Sequence, residues 1–93
     1  MDISEQLQFV VGQIKKLRIQ QGISQIELSA KADLSQSFLA NLEKGKKQPS
    51  VLTIIRIAEA LDISPQEFFP PKTDHKTKQQ IKAQILNLLE YLL

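Results

Sequence analysis

The sequence predicts an all-α fold: five helices over residues 1–70, a linker over 71–75 and an additional C-terminal amphipathic helix over 76–93. Apolar residues recur at steps of three and four, the period of one helix face. Serines stand just before several of these stripes, where a hydroxyl can satisfy orphan N–H groups at a helix start. Glycines and prolines punctuate the stripes where helices must stop.

Ile3, Leu7, Val10, Ile14 and Leu17 place the first helix at about Ser4 to Gln21. Gly12 inside it costs about 1 kcal/mol relative to Ala and marks a close helix contact or an irregularity. Gly22 ends the helix by accepting a left-handed conformation. Ser24 and Glu27 form an S-x-x-E capping box, which opens a second helix at about Gln25 that ends near Ala32. Asp33 follows and Ser35 caps the third helix, so the chain must turn sharply between them. On a helical wheel of residues 36 to 44, Phe38, Leu39 and Leu42 share one side. Gln36, Ser37, Ala40, Asn41 and Lys44 share the other, an amide-rich face with a small residue at its centre.

Gly45 closes that helix, and Pro49-Ser50 starts a fourth from Val51 to about Leu61. Its core face is expected to carry Leu52, Ile55, Ala58 and Leu61 at three-residue steps, with Ile54 beside them. Ser64-Pro65-Gln66-Glu67 is a second capping box, for a short fifth helix that reaches Phe68 and Phe69 and stops at Pro70-Pro71. Beyond the linker, Ile81, Ile85, Leu88 and Leu92 form a coiled-coil-like seam, which Leu86, Leu89 and Leu93 widen. Such a stripe must pack against something.

With 93 residues, 42% apolar and 24% charged, the chain suffices for one compact domain and one appended element. The core is small, so burial shared with a second subunit would help. The absence of cysteine excludes disulfides, thiolate metal ligands and thiol catalysis. No apolar run approaches the roughly 20 residues that span a bilayer, and MDISEQLQF lacks the layout of a signal peptide. The expectation is a soluble, cytoplasmic protein with no membrane partner. The net charge of +2 says little about nucleic acid. Its distribution says more: KGKK spans Lys44 to Lys47, and Lys15, Lys16 and Arg18 form a second cluster. His75 is a lone histidine without ligand partners, and Glu59 and Asp62 lack a nearby base or nucleophile. Neither a metal, a cofactor nor an enzymatic activity is expected.

Over residues 11 to 69 this order of features resembles the helix-turn-helix family of the phage repressor and Cro type, also called the xenobiotic-response-element type. The resemblance is carried by IKKLRIQQGISQIELSAKA, by LSQSFLANLEKGKKQPS and by TIIRIAEALDISPQEFF. No one of these is specific alone; their common register over five helices is. The family usually has glycine at the positions of Asp33 and Asp62, sites that should need a left-handed backbone, which Asp adopts more readily than most residues. Ser29 replaces a common alanine and is still small. The tail past Pro71 lies outside the pattern.

The resemblance implies a five-helix repressor-like domain whose third helix, residues 35–44, enters the DNA major groove while the second crosses the backbone. The nine residues 36–44 make a helix about 13 Å long, and the groove is about 12 Å wide. Gln36 falls where family members contact base edges, and its amide can match adenine N6 and N7. Asn41 can read adenine or hold a phosphate, Ser37 can do either, and Ala40 allows close approach. Gln25 matches a phosphate-contacting position at a helix N-terminus. Lys46 and Lys47, with Lys44 as a further candidate, can neutralise phosphates. Arg18 and Glu43 match a structural salt bridge, with the Arg18 head a second candidate near phosphate. Leu28, Leu34, Leu39 and Leu42 hold the reading head, and Phe38 packs at its edge or meets a thymine methyl. Each polar residue also has a plainer reading as an ordinary solvated side chain, which the family register makes the lesser one.

The function expected is a sequence-specific DNA-binding regulator, a repressor acting as a homodimer on an inverted repeat with half-sites about 34 Å apart. Ile81, Ile85, Leu88, Leu89 and Leu92 would mediate dimerisation. The alternative is an antitoxin-like or adaptor protein whose C-terminal helix grips a protein partner. A tail folded back over Ile3, Leu7 and Val10 is the competing account of that helix.

Overall fold

The computed structural model describes residues 2–71 and 75–92. In order these form α1 (Ile3–Gln20), α2 (Gln25–Lys31), α3 (Gln36–Glu43), α4 (Val51–Leu61), a 3₁₀ turn (Pro65–Phe68) and α5 (His75–Leu92). Linker residues 72–74 and the side chains of Ile81 and Leu92 lie outside the described residues.

Each of the first four helices starts on a side-chain cap. Asp2 accepts from the Glu5 N–H at 2.8 Å, Ser24 from Glu27 at 3.0 Å, Ser35 from Phe38 at 3.0 Å and Ser50 from Thr53 at 3.1 Å. Each bond satisfies one donor that the helix itself leaves orphaned.

The four helices also end alike. Gly22, Asp33, Gly45 and Asp62 all have positive φ, between 55 and 78. After each, the next N–H reaches back five residues: Ile23 to the Arg18 carbonyl, Leu34 to Ser29, Lys46 to Asn41 and Ile63 to Ala58. This is the Schellman motif, usually completed by an apolar residue packing back on the helix. Ile23, Leu34 and Ile63 do pack against the core. The fourth position is Lys46, which is exposed. The left-handed backbone expected at both aspartates is present, with φ 57 at Asp33 and 55 at Asp62. Asp62→Val is expected to cost about 1–2 kcal/mol and Asp62→Gly to cost nothing or stabilise, a contrast urea denaturation would measure.

The core is shared by Val10, Val11 and Ile14 of α1, Leu28 of α2, Leu39 and Leu42 of α3, Ile54, Ile57, Ala58 and Leu61 of α4, and Phe68. Leu52 and Ile55, expected in that core, are instead 56% and 43% exposed. A helix turns about 100° per residue, so each three-residue step falls about 60° short of a full turn. A row of such steps winds off any one face. The face that α4 buries runs through 54, 57, 58 and 61 instead. The first-helix stripe also frays, since Ile3 is 84% exposed where α1 overshoots its neighbours.

The fifth helix is a 3₁₀ turn of four residues, not an α-helix. Between Ser64 and Pro70 there is too little chain to establish i→i+4 bonding, so Glu67 N–H bonds the Ser64 carbonyl at 3.0 Å. The Ser64 hydroxyl accepts from Gln66 at 3.4 Å rather than from Glu67 as a capping box requires. This tighter winding buries Phe68 completely and leaves Phe69 48% exposed. Gln13 Nε2 donates to the Glu67 carbonyl at 3.2 Å and ties the turn to α1.

Ile85, Leu88 and Leu89 of α5 are 52%, 63% and 51% exposed. The radius of gyration is 18.0 Å, against about 12 Å for a compact chain of this length. With α5 uncovered and Ile3 open, the tail does not cover α1 in the single chain, and Val10 is already buried by the core.

Candidate nucleic-acid interface

The helices α2 and α3 pack closely on one another. Leu28 and Leu39, both fully buried, lie in this part of the core, with Ala32 and Leu34 bracketing the sharp turn at Asp33. Because Leu39 and Leu42 take the inner face of α3, its outer face carries Gln36 and Ser37, both exposed, and Ala40 and Asn41, both half-buried. Phe38 is half-buried and packs against the core. The arrangement presents an amide and a hydroxyl on the first turn of a rigid helix, with a small residue behind them.

Beside the core contacts of Leu39 and Leu42, one carboxylate ties α3 to its neighbours. Glu43 Oε2 accepts from Arg18 Nε at 2.8 Å and Oε1 from Arg18 Nη2 at 2.9 Å. Arg18 Nη1 donates to the Ile23 carbonyl at 2.8 Å. The Arg18 and Glu43 side chains are only 11% and 2% exposed. A bidentate guanidinium–carboxylate pair has fixed geometry as well as strength, so it sets α3 against the end of α1. The expected bridge is therefore present, and three of the Arg18 hydrogen bonds are committed within the protein.

Gln25 has a partner that the sequence does not reveal. Its Nε2 donates to Glu43 Oε1 at 3.1 Å, so the same carboxylate joins α1, α2 and α3. An amide nitrogen carries two hydrogens, and one suffices for Glu43. The other, with the N-terminal N–H groups of α2, suits an anion. Residues 25 and 43 stand 18 apart, and no local pattern signals such a contact.

Lys44, Lys46 and Lys47 are all exposed in the loop after α3. Lys44 and Lys47 also line an open groove of about 510 Å³ whose other wall is the start of α1, with Ser4, Gln8 and Val11. Lys46 is not part of its lining. The structure thus gathers Gln25, Gln36, Ser37 and Asn41 on the α2–α3 unit and the three lysines on the adjoining loop. Of the residues that the sequence suggests for dimerisation, Ile85, Leu88 and Leu89 are exposed on α5.

A family model described as Helix-turn-helix matches residues 14–68. An uncharacterized HTH-type transcriptional regulator of Sinorhizobium fredii is 38% identical over 56 residues, 60% of this chain and 73% of that protein. The immunity repressor protein of Bacillus phage phi105 is 37% identical over 70 residues; the match covers 74% of this chain but only 49% of that protein. Among solved structures, the restriction-modification controller protein C.AhdI from Aeromonas hydrophila superposes with a TM-score of 0.65 at 32% identity, over 70% of this chain and 97% of its own. The family match covers more than half of the chain and includes every residue from α2 through the 3₁₀ turn. This chain belongs to the xenobiotic-response-element-type helix-turn-helix family of DNA-binding transcriptional regulators.

Proposed function

We propose that the chain is a repressor that binds an inverted-repeat operator as a homodimer, with α3 in the major groove of each half-site. The observation that carries this is the division of α3: Leu39 and Leu42 are fully buried, while Gln36 and Ser37 are exposed on its first turn. Gln36, Ser37 and Asn41 read base edges; Gln25, Lys44, Lys46 and Lys47 hold phosphates. The similarity to a phage immunity repressor favours repression over activation. Ile81, Ile85, Leu88, Leu89 and Leu92 of α5 support dimerisation.

Selection of bound duplexes from a random pool tests this directly. The expected result is a two-fold-related site with half-sites about one helical turn apart. Recovery of unrelated sequences would refute sequence-specific binding. On the selected site, Gln36→Ala is expected to lose about 1–3 kcal/mol of discrimination at one base position of each half-site. Lys46→Ala should weaken every sequence alike and flatten the slope of log affinity against log salt by about one unit.

A second reading, in which α5 grips a different protein, draws on the same exposed leucines. Truncation after Pro71 separates the two: loss of the dimer supports the first, and a persisting dimer with unchanged DNA affinity favours the second.

A further inference from the structure

Two apolar stripes of this chain are left uncovered. One is Leu52 and Ile55 on α4, 56% and 43% exposed, with the exposed Glu59 next along the same row. The other is Ile85 and Leu89 on α5, 52% and 51% exposed, with the exposed Lys82 before them. On α4 the order is Leu52, Ile55, Glu59, at steps of three and four. On α5 it is Lys82, Ile85, Leu89, again at steps of three and four. Residues at these spacings share one helix face.

Set antiparallel, the rows match along their length: Leu52 meets Leu89, Ile55 meets Ile85, and the carboxylate of Glu59 meets the ammonium of Lys82. A parallel setting would place Glu59 against leucine and Lys82 against leucine. Neither Glu59 nor Lys82 has an ion pair among the described residues, so both charges are available.

We propose that the α4 row is the docking site for α5 of a second copy, each protomer lending its tail helix to the other. This rests on the homodimer reading above and names the surface that the tail contacts. The single chain holds both rows, yet leaves both exposed, with the tail carried away from the domain. Phe68 is fully buried, and the prolines that follow it form a stiff, extended exit. A two-fold arrangement satisfies both rows of both copies at once, as an isologous interface requires.

The absence of cysteine makes the test clean. Ile55→Cys and Ile85→Cys are made in separate full-length chains, checked for native helicity, mixed and treated with a short bis-maleimide. The expected result is a cross-linked dimer in the mixture, several-fold above either variant alone. Cross-linking of Ile85→Cys alone, with no gain on mixing, would overturn the proposal in favour of a tail-to-tail coiled coil. A double variant that closes within one chain, at monomer mass, would overturn it in favour of fold-back. Glu59→Lys and Lys82→Glu should each weaken dimerisation roughly fivefold, and the double exchange should restore it; additive losses would overturn the pairing. Footprinting is scored separately. A two-fold footprint without the mixed cross-link sinks the docking and keeps the regulator, whereas a cross-link without a footprint supports the docking and sinks the operator.

Discussion

Glu43→Ala is expected to lower the free energy of unfolding by about 3–5 kcal/mol, the cost of stranding a buried charge. Arg18 keeps its Ile23 carbonyl but loses both carboxylate oxygens, at 2.8 and 2.9 Å, in a site where it is 11% exposed. Domains of this size have about 5–15 kcal/mol in total, so the variant sits near the edge of folding at room temperature. Urea denaturation monitored by circular dichroism measures the loss. The paired variant Arg18→Met with Glu43→Leu separates charge from packing: it is expected to recover most of the stability, because removing both charges leaves neither unpaired. DNA affinity should not return with it. Gln25 loses the partner that orients its amide whichever residue replaces Glu43, so the refolded double variant should bind all duplexes more weakly. Full affinity in that variant would show that the carboxylate serves the fold alone.

Phe68→Ala is expected to cost about 3–5 kcal/mol, and to lower the melting temperature by roughly 15–30 °C. The ring is fully buried and belongs to the same core as Ile14, Ile57 and Leu61. Its removal leaves a cavity at the junction of α1, α4 and the 3₁₀ turn, three elements that pack on one another. The Gln13 bond to the Glu67 carbonyl, at 3.2 Å and exposed, is too weak to hold the turn by itself. Phe69→Ala provides the contrast: 48% exposed, it should change the stability of the monomer by no more than about 1 kcal/mol. Equal losses for the two would mean that the turn winds differently from the way described.

Helix starts were legible because a cap is a local device. Ser24, Ser35 and Ser50 each lie three residues from the N–H that they satisfy. The left-handed aspartates came from comparison with a glycine pattern, and their φ values agree. The inner face of α3 followed from periodicity, since Leu39 and Leu42 stand at the three-residue spacing of one turn. What stayed hidden depends on neighbours distant in sequence. Leu52 and Ile55 are as apolar as the residues buried beside them, and the placement of α1, α2 and the 3₁₀ turn decides which side of α4 is covered. The amide contacts of Gln25 with Glu43, of Gln21 with the Leu61 carbonyl at 2.7 Å and of Gln13 with the Glu67 carbonyl bridge 18, 40 and 54 residues, beyond any local pattern. The α2–α3 unit and its Arg18–Glu43 bridge were legible through the family register; the further contact of Gln25 with the same carboxylate was not.

Of the four matching helix exits, only the one after α3 lacks an apolar clasp. Ile23, Leu34 and Ile63 fasten their chain ends to the core, while Lys46 points its charge into water. That loop begins folding as the others do and stops one contact short. In the proposed complex a DNA phosphate beside Lys46 supplies the missing contact from outside, so the nucleic acid finishes a piece of the protein's own architecture.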